Sequence, residues 1–265
     1  MSAARLRGLP EIGGLLLDID GTLLVDDRAV PGAPEALERL LAAGLRARLL
    51  TNTSRRSRGA IAAVLAAAGF GFRAEDVLTP AVLARRLILD SGRRRAAILV
   101  PPEALADFAG IEEDRRHPDW VVLGDLGPGF THDALNAALR LLRSGARLVA
   151  LHRNRTWRPP GQDEALDVGA YVAALEYAAG TSAVTVGKPS SEFFRLALGE
   201  IGLEAAEVLV VGDDPEADVE GARIAGCRTA LVRTGRFQGG PGDLVGPGPD
   251  LIVDSIADLQ RVPGG

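Results

Sequence analysis

The sequence predicts an α/β fold with a mostly parallel sheet and a second, inserted α/β domain. Short apolar runs alternate with segments of helical pattern along the chain, which is typical of βαβ units. Small polar or acidic residues follow several apolar runs, as expected at the carboxyl ends of parallel strands. Residues 80–180 repeat the alternation as a set of their own, and this repetition indicates an insertion.

The first part of the chain contains two predicted βα units. Its first strand is short, apolar and preceded by two glycines. Its first helix begins near Pro34 and ends at Gly44, and small polar residues after the second strand cap an alanine-rich helix. The predicted elements are strand Leu15–Ile19, a polar excursion at Leu23–Val30, helix Pro34–Gly44, strand Leu45–Leu50 and helix Ser57–Ala68.

The predicted domains are a core of residues 1–79 and 181–265 and an inserted domain of residues 80–180, with hinges near Thr79 and Gly180. Residues 235–249 are rich in glycine and proline and are predicted as a loop. The insertion is predicted to contain strands Ala97–Val100, Trp120–Leu123 and Ala146–Leu151 and helices Thr131–Arg143 and Val168–Tyr177. The second part of the core is predicted to contain helix Glu192–Ile201, strand Val208–Val211, helix Pro215–Ala225, strand Thr229–Val232 and a weak helix Ile256–Gln260.

Composition excludes several classes of function. The net charge of −5 argues against a polybasic surface for nucleic acid. The single cysteine, Cys227, excludes an internal disulfide and fits a reducing compartment. The longest apolar run, Ala60–Phe70, is shorter than the roughly 20 residues that a membrane-spanning helix needs. We therefore expect a cytoplasmic protein that binds neither nucleic acid nor a membrane.

The most informative segment is the end of the first predicted strand. Asp18 and Asp20 stand one residue apart there, followed by Gly21 and Thr22. Because side chains alternate along extended backbone, both carboxylates can point into one site at the sheet edge. Two like charges this close need a cation or a shared proton, and a divalent metal ion is the simplest solution. Gly21 would allow a sharp turn, which the Thr22 hydroxyl would hold.

The single lysine among the 30 basic residues, Lys188, indicates the same kind of site. Lysine is a compact point charge on a flexible stem, whereas arginine is a rigid planar fork. A site that needs one small cation between carboxylates and a phosphate favours lysine. Lys188 also precedes a predicted helix start at Pro189.

Four predicted strand ends carry polar groups that together suit phosphoryl transfer. An ionised Asp18 would attack phosphorus, and Asp20 would protonate the leaving oxygen and then activate water. Mg²⁺ and Lys188 would neutralise charge, while Thr51 and Asn52 would donate hydrogen bonds to the phosphoryl oxygens. The four groups are Asp18 with Asp20, Thr51 with Asn52, Lys188, and Asp213 with Asp214 and Asp218.

A magnesium site is predicted from the same carboxylates. Its ligands would be the carboxylates of Asp18 and Asp213 and the main-chain carbonyl of Asp20. Asp214 and Asp218 would hold metal-bound water or orient Lys188. Alternatively, Asp218 is a helix N-terminal residue stabilised by the helix dipole.

These residues form Asp-x-Asp-Gly-Thr, a strand ending in Thr-Asn, Gly-Lys-Pro before a helix, and Gly-Asp-Asp-x-x-x-Asp. In this order and at these separations they resemble the four motifs of haloacid dehalogenase-like phosphatases, over the whole chain. The resemblance implies a Rossmann-like, doubly wound core, Mg²⁺ dependence, an Asp18 nucleophile and an Asp20 acid/base. It also implies that the insertion is a C2-type cap, and that caps pair in a homodimer.

The cap would supply specificity for a small phosphorylated metabolite, with pyrophosphate or phosphoamidates among the candidates. A segment with cations, an amide and an aromatic follows one cap strand, and its His152 and Arg153 would grip the leaving group. A solvated loop before Pro159 is the alternative interpretation. A phosphomutase and a phosphoacceptor signalling module remain open as other functions, whereas a dehalogenase would have no use for Asp20 or Asp213.

Overall fold

The structure of the protein is a computed structural model that describes residues 4–5, 11–158, 161 and 163–259. The chain forms two compact units. We call Met1–Thr51, Ile61–Leu78 and Lys188–Gly265 the core unit, and Asn52–Ala60 with Thr79–Gly187 the inserted unit. None of the helices in these described ranges is long and apolar enough to cross a membrane.

Both units are built from strands that alternate with helices. The strands of the two large sheets are β1 (Gly14–Asp18), β2 (Arg46–Leu50), β3 (Val77–Leu78), β4 (Arg95–Leu99), β5 (Glu112–Glu113), β6 (Trp120–Leu123), β7 (Arg147–Ala150), β8 (Val184–Thr185), β9 (Val208–Gly212), β10 (Arg228–Val232) and β11 (Leu251–Val253). The α-helices are α1 (Ala33–Ala42), α2 (Arg58–Ala67), α3 (Pro80–Asp90), α4 (His132–Arg143), α5 (Val168–Ala179), α6 (Ser191–Ile201) and α7 (Gly221–Ile224).

Shorter elements connect these strands and helices. Three antiparallel pairs join Ala4–Arg5 to Glu11–Ile12, Leu24–Val25 to Arg28–Ala29, and Thr156–Trp157 to Ala165–Leu166. The 3₁₀ turns are Ala74–Asp76, Pro102–Phe108, Gly127–Gly129, Ala205–Glu207, Pro241–Asp243 and Ile256–Asp258, and Pro215–Glu220 is a wide π turn.

The core unit is built on a six-stranded sheet in the order β11-β10-β9-β1-β2-β3, and every neighbouring pair is parallel. The α/β fold with a parallel sheet is therefore confirmed. Strand β1 is central because its three leucines are fully buried, and Leu15 and Leu17 pack with residues of α1 and α2. The order of strands reverses at β1, between β9 and β2. Such a reversal places a binding site at the carboxyl ends of the strands.

The inserted unit has its own five-stranded parallel sheet, in the order β8-β7-β6-β4-β5. Residues of α4 and α5 pack on strands β6 and β7 in one apolar cluster. The compact unit extends to Gly187, beyond the predicted boundary at residue 180, because β8 pairs with β7. It also contains Asn52–Ala60, which was predicted as part of the core.

Several elements differ from the sequence prediction. Helix α3 was not predicted, and strand β11 lies just after the loop predicted at 235–249. The helix predicted at 215–225 is the π turn Pro215–Glu220 followed by the short α7. The weak C-terminal helix is the 3₁₀ turn Ile256–Asp258, and the last residue predicted for it, Gln260, lies outside the described residues.

Candidate active site

The carboxyl end of β1 places two carboxylates in different surroundings. Asp18 ends the strand and is 6% exposed, whereas Asp20 is exposed. Thr51, which directly follows β2, donates from its hydroxyl to Asp20 Oδ2 at 3.4 Å. The structure therefore brings Asp18, Asp20 and Thr51 to one edge of the core sheet.

The turn after Asp20 is held by the main chain. The amides of Thr22 and Leu23 both donate to the carbonyl oxygen of Ile19, at 3.3 and 2.9 Å. The Thr22 side chain is fully buried, and its hydroxyl has no hydrogen-bond partner among the described residues. The expectation that this hydroxyl holds the turn is therefore not met, because main-chain bonds do so instead.

Lys188 lies between two buried carboxylates. Its ammonium donates to Asp18 Oδ1 and, at 2.6 Å, to Asp218 Oδ1. The other oxygen of Asp218 accepts from the Asp214 amide at 3.2 Å. Both oxygens of Asp218 therefore face protein donors, which is the arrangement expected of a residue that orients Lys188.

Asp213 and Asp214 directly follow β9, which pairs with β1. Asp213 Oδ2 accepts from the main-chain amide of Arg236 at 2.6 Å. Asp214 Oδ1 accepts from the amides of Glu216 and Ala217 at 2.9 and 3.0 Å, so Asp214 caps the π turn. The two aspartates therefore differ in role, because Asp213 is buried in the site and Asp214 organises the segment that carries Asp218.

The buried carboxylates of this cluster outnumber its one ammonium group, that of Lys188. Carboxylate oxygens of Asp18, Asp213 and Asp218 lie within 4.8 Å of one another. Burial raises the pKa of Asp18 well above its usual value, against the opposing effect of Lys188. Burial also raises the pKa of Asp213 to about 7, and nearby Asp218 adds to that increase. Burial disfavours the charge of Lys188 as well, but the two carboxylates outweigh it and raise the pKa of Lys188.

The donor set fits a hard divalent cation. All candidate ligands are oxygen atoms, which Mg²⁺ and Ca²⁺ prefer. Asp18 Oδ2 is buried and has no hydrogen-bond partner among the described residues. A buried carboxylate oxygen without a partner is costly, and a cation would remove that cost. The carboxylates of Asp18 and Asp213 are therefore suited to metal binding, while the predicted ligation by the Asp20 carbonyl stays a prediction.

Comparisons with known proteins agree with this geometry. A family model described as haloacid dehalogenase-like hydrolase matches residues 15–111, and a model described as HAD-hydrolase-like matches residues 185–259. The chain is 39% identical over 242 residues to bovine (Bos taurus) haloacid dehalogenase-like hydrolase domain-containing protein 2, covering 91% of this chain and 92% of that protein. This chain belongs to the haloacid dehalogenase-like hydrolases.

Two further similar proteins have names that state an activity. The rat (Rattus norvegicus) phospholysine phosphohistidine inorganic pyrophosphate phosphatase is 38% identical over 264 residues, which covers 97% of this chain and 94% of that protein. The crystal structure of a 4-nitrophenylphosphatase from Thermotoga maritima superposes with a TM-score of 0.86 at 29% identity, covering 94% of this chain and 96% of that one. The doubly wound core with an inserted cap domain is therefore the fold of this family.

The remaining predicted residues lie in the inserted unit. Asn52 directly follows Thr51 in the chain, and its side-chain oxygen lies against Gly187, where a β-carbon would approach it to 2.7 Å. His152 is buried, with its Nε2 at 3.5 Å from Ser54 Oγ. Arg153 makes two hydrogen bonds to the Glu176 carboxylate, at 2.8 and 2.6 Å. Arg153 therefore has a structural partner of opposite charge within its own unit.

The segment that follows β10 also contributes to the site and was not predicted from the sequence. We call Thr234, Gly235 and Arg236 the 234–236 turn. The Thr234 hydroxyl donates to the carbonyl oxygen of Gly21 at 2.5 Å, and the Arg236 amide contacts Asp213. The one available signal was that these residues follow an apolar strand, as the acidic motifs do. Their contributions come mostly from main-chain atoms, which leave little mark in a sequence.

Proposed function

We propose that this chain is a Mg²⁺-dependent phosphatase that hydrolyses small phosphorylated substrates through a phosphorylated Asp18. The observation that carries the proposal is the state of the Asp18 carboxylate. Lys188 holds Oδ1, while Oδ2 is buried without a hydrogen-bond partner among the described residues. Lys188 thus orients the carboxylate, which keeps lone pairs both for a cation and for the new P–O bond.

The proposed reaction has two steps. Asp18 attacks phosphorus, and a new P–O bond forms as the bond to the leaving oxygen breaks. Asp20 gives its proton to that oxygen, and its exposed position suits exchange with substrate and water. Asp20 then accepts a proton from water, which attacks the phosphorylated Asp18, so that orthophosphate leaves and the carboxylate is restored.

Charge and orientation come from the residues around Asp18. Lys188, oriented by Asp218, offsets the repulsion between an anionic nucleophile and a phosphate. Bound Mg²⁺ would supply further charge neutralisation, held by Asp18, Asp213 and the Asp20 carbonyl. We propose that Thr51 and Asn52 donate hydrogen bonds to the phosphoryl oxygens.

The substrate class is proposed from the relatives and from the cap. The names of the similar proteins are phospholysine phosphohistidine inorganic pyrophosphate phosphatase and 4-nitrophenylphosphatase. We propose a small phosphorylated metabolite, with pyrophosphate and phosphoamidates as candidates, and a leaving-group contact from His152. The pair that Arg153 forms with Glu176 favours a structural role for Arg153, in place of the predicted contact with the leaving group.

Phosphate release from a panel of compounds tests the proposal. The panel contains 4-nitrophenyl phosphate, sugar phosphates, nucleotides, pyrophosphate and phosphohistidine, each measured in Mg²⁺ and in EDTA. We expect Mg²⁺-dependent release by the wild type, and loss of release by Asp18→Asn with an unchanged circular dichroism spectrum. Asp26→Asn is the control, because Asp26 is exposed and asparagine tolerates its positive φ of 51°.

Each alternative function predicts a different result. Substantial turnover by Asp18→Asn would contradict its role as nucleophile, and full activity in EDTA would contradict the metal site. If no compound of the panel releases phosphate, and a small phosphodonor yields a stable phosphorylated Asp18, the result would favour a phosphomutase or a phosphoacceptor module.

A further inference from the structure

The carboxylate of Asp213 lies between two glycines of the core unit. A β-carbon at Gly21 would approach Asp213 Oδ2 to 2.3 Å, and one at Gly235 would approach the same oxygen to 1.9 Å. The β-carbon of Gly235 would also come within 2.7 Å of Gly21 Cα. Any side chain at residue 235 would therefore displace the carboxylate or separate the two glycines.

The two main-chain amides that follow Gly235 both donate hydrogen bonds to Asp213. Arg236 donates its amide to Asp213 Oδ2 at 2.6 Å, and Phe237 donates its amide to the Asp213 carbonyl oxygen at 3.1 Å. The Phe237 ring is buried in a cluster with Val219 and Leu231, which anchors this end of the loop. Asp213 is thus held at both its carboxylate and its backbone by one short segment.

The side chains of the 234–236 turn add contacts with Gly21 and Asp214. The Thr234 hydroxyl donates to the Gly21 carbonyl oxygen at 2.5 Å, which ties the turn to the segment after Asp20. The Arg236 guanidinium lies 3.5 Å from Asp214 Oδ2. The turn therefore contacts the acidic segments that follow both β1 and β9.

We propose that the 234–236 turn positions the Asp213 carboxylate for metal binding, with Gly235 and Thr234 as its decisive residues. This inference rests on the proposed metal site. The hydrogen bond from the Arg236 amide to Asp213 Oδ2 fixes the rotation of the carboxylate before the ion binds. Outer contacts of this kind orient metal ligands, and their loss usually weakens metal affinity by roughly 10- to 100-fold.

Direct measurement of Mg²⁺ binding tests this role. The dissociation constant for Mg²⁺ would be measured by isothermal titration calorimetry on wild type, Gly235→Ala and Gly242→Ala. Gly242 belongs to the same loop, and a β-carbon there meets no atom within 4 Å. We expect Gly235→Ala to raise the dissociation constant by about 10-fold or more, and Gly242→Ala to leave it unchanged.

A second pair of variants covers the case in which Gly235→Ala does not fold. Thr234→Val removes the hydroxyl donor with little change in volume, and Thr234→Ser retains it. We expect weaker Mg²⁺ binding in the first and near wild-type binding in the second. A purely structural turn would instead lower the melting temperature of the variants without changing the Mg²⁺ affinity of the folded protein, and that outcome would overturn the inference.

The wild type separates this inference from the proposed function. If the wild type hydrolyses phosphate compounds with Mg²⁺ and the variants bind Mg²⁺ as tightly, only the positioning role is wrong. If the wild type binds no Mg²⁺, the metal site and the positioning role are both wrong.

Discussion

Replacing Lys188 with methionine should destabilise the metal-free protein strongly. The Lys188 side chain is 3% exposed, and its ammonium contacts the buried carboxylates of Asp18 and Asp218. Removal of one partner from a buried ion pair costs about 3–5 kcal/mol, because the remaining charge is left without compensation. For a protein of this size, 1 kcal/mol corresponds to about 2–4 °C. We therefore expect the melting temperature of Lys188→Met in EDTA to fall by roughly 6–20 °C.

The sign of the pH dependence follows from the same carboxylates. Without the ammonium, the pKa of Asp18, already raised by burial, rises further. An acid with a raised pKa in the folded state binds more protons folded than unfolded, so its contribution to stability falls as pH increases. The loss caused by Lys188→Met should therefore be larger at pH 8 than at pH 5.5.

Thermal unfolding by circular dichroism at both pH values measures these effects. Arg195→Met is the control, because Arg195 and Glu192 form an ion pair whose side chains are 64% exposed, and such exposed pairs contribute little to stability. Adding Asp218→Asn to Lys188→Met should restore part of the stability, since one unpaired charge disappears. A Lys188→Met melting temperature within about 2 °C of the wild type would show that Lys188 does not stabilise the metal-free cluster.

Three other outcomes follow from buried groups. The pKa of Asp213 is raised to about 7. The free energy of unfolding of the metal-free protein should therefore fall between pH 5 and 7, by up to about 1.4 kcal/mol per pH unit. Urea titrations of Asp213→Asn should show a weaker dependence on pH than those of the wild type. Burial raises the pKa of Cys227 to about 11, so Ellman's reagent at pH 8 should label it slowly in the native protein and rapidly in urea. Gly187→Ala should lower the melting temperature, because its β-carbon would lie 2.3 Å from the Leu151 carbonyl oxygen, whereas Gly199→Ala should be neutral or stabilising, because nothing lies within 4 Å there.

The central part of the fold could be predicted from the sequence because its strands are fully buried. Strand β6 was predicted with its observed bounds, and β1 within one residue at each end. Buried parallel strands form short continuous apolar runs, which stand out beside amphipathic helices. The edge strands are only two or three residues long and do not form such runs, so β3, β5, β8 and β11 were missed.

Non-local pairing decides the features that the sequence did not predict. Strand β8 belongs to the inserted sheet only because it pairs with β7, more than 30 residues earlier in the chain. Segment 52–60 belongs to the inserted unit through contacts such as the bond from the Asp125 amide to Ser54 Oγ at 2.8 Å. Neither relation leaves a local pattern, which explains why the observed inserted unit includes residues 52–60 and extends to Gly187, beyond the predicted boundary at 180.

In the candidate site, the side-chain contributions could be predicted from the sequence, whereas the main-chain contributions could not. Four site residues could be predicted because they act through charged side chains at strand ends and helix starts. They are Asp18, Lys188, Asp213 and Asp218. The amide of Arg236 could not be found, since every residue except proline has an amide and only the fold directs this one at Asp213.

The charge of the cluster favours lysine over arginine at residue 188 of this arginine-rich chain. Three buried carboxylates and one ammonium leave a formal charge of −2, which one divalent cation would cancel. The ammonium has three donors and two carboxylate partners, whereas a guanidinium would bring five donors into a space that exposes 3% of the side chain. Arginine would leave buried donors without acceptors, and a neutral residue would leave the carboxylates at −3. A lysine at residue 188 therefore pairs with Asp18 and Asp218 and leaves the negative charge that would favour a divalent metal ion beside Asp18.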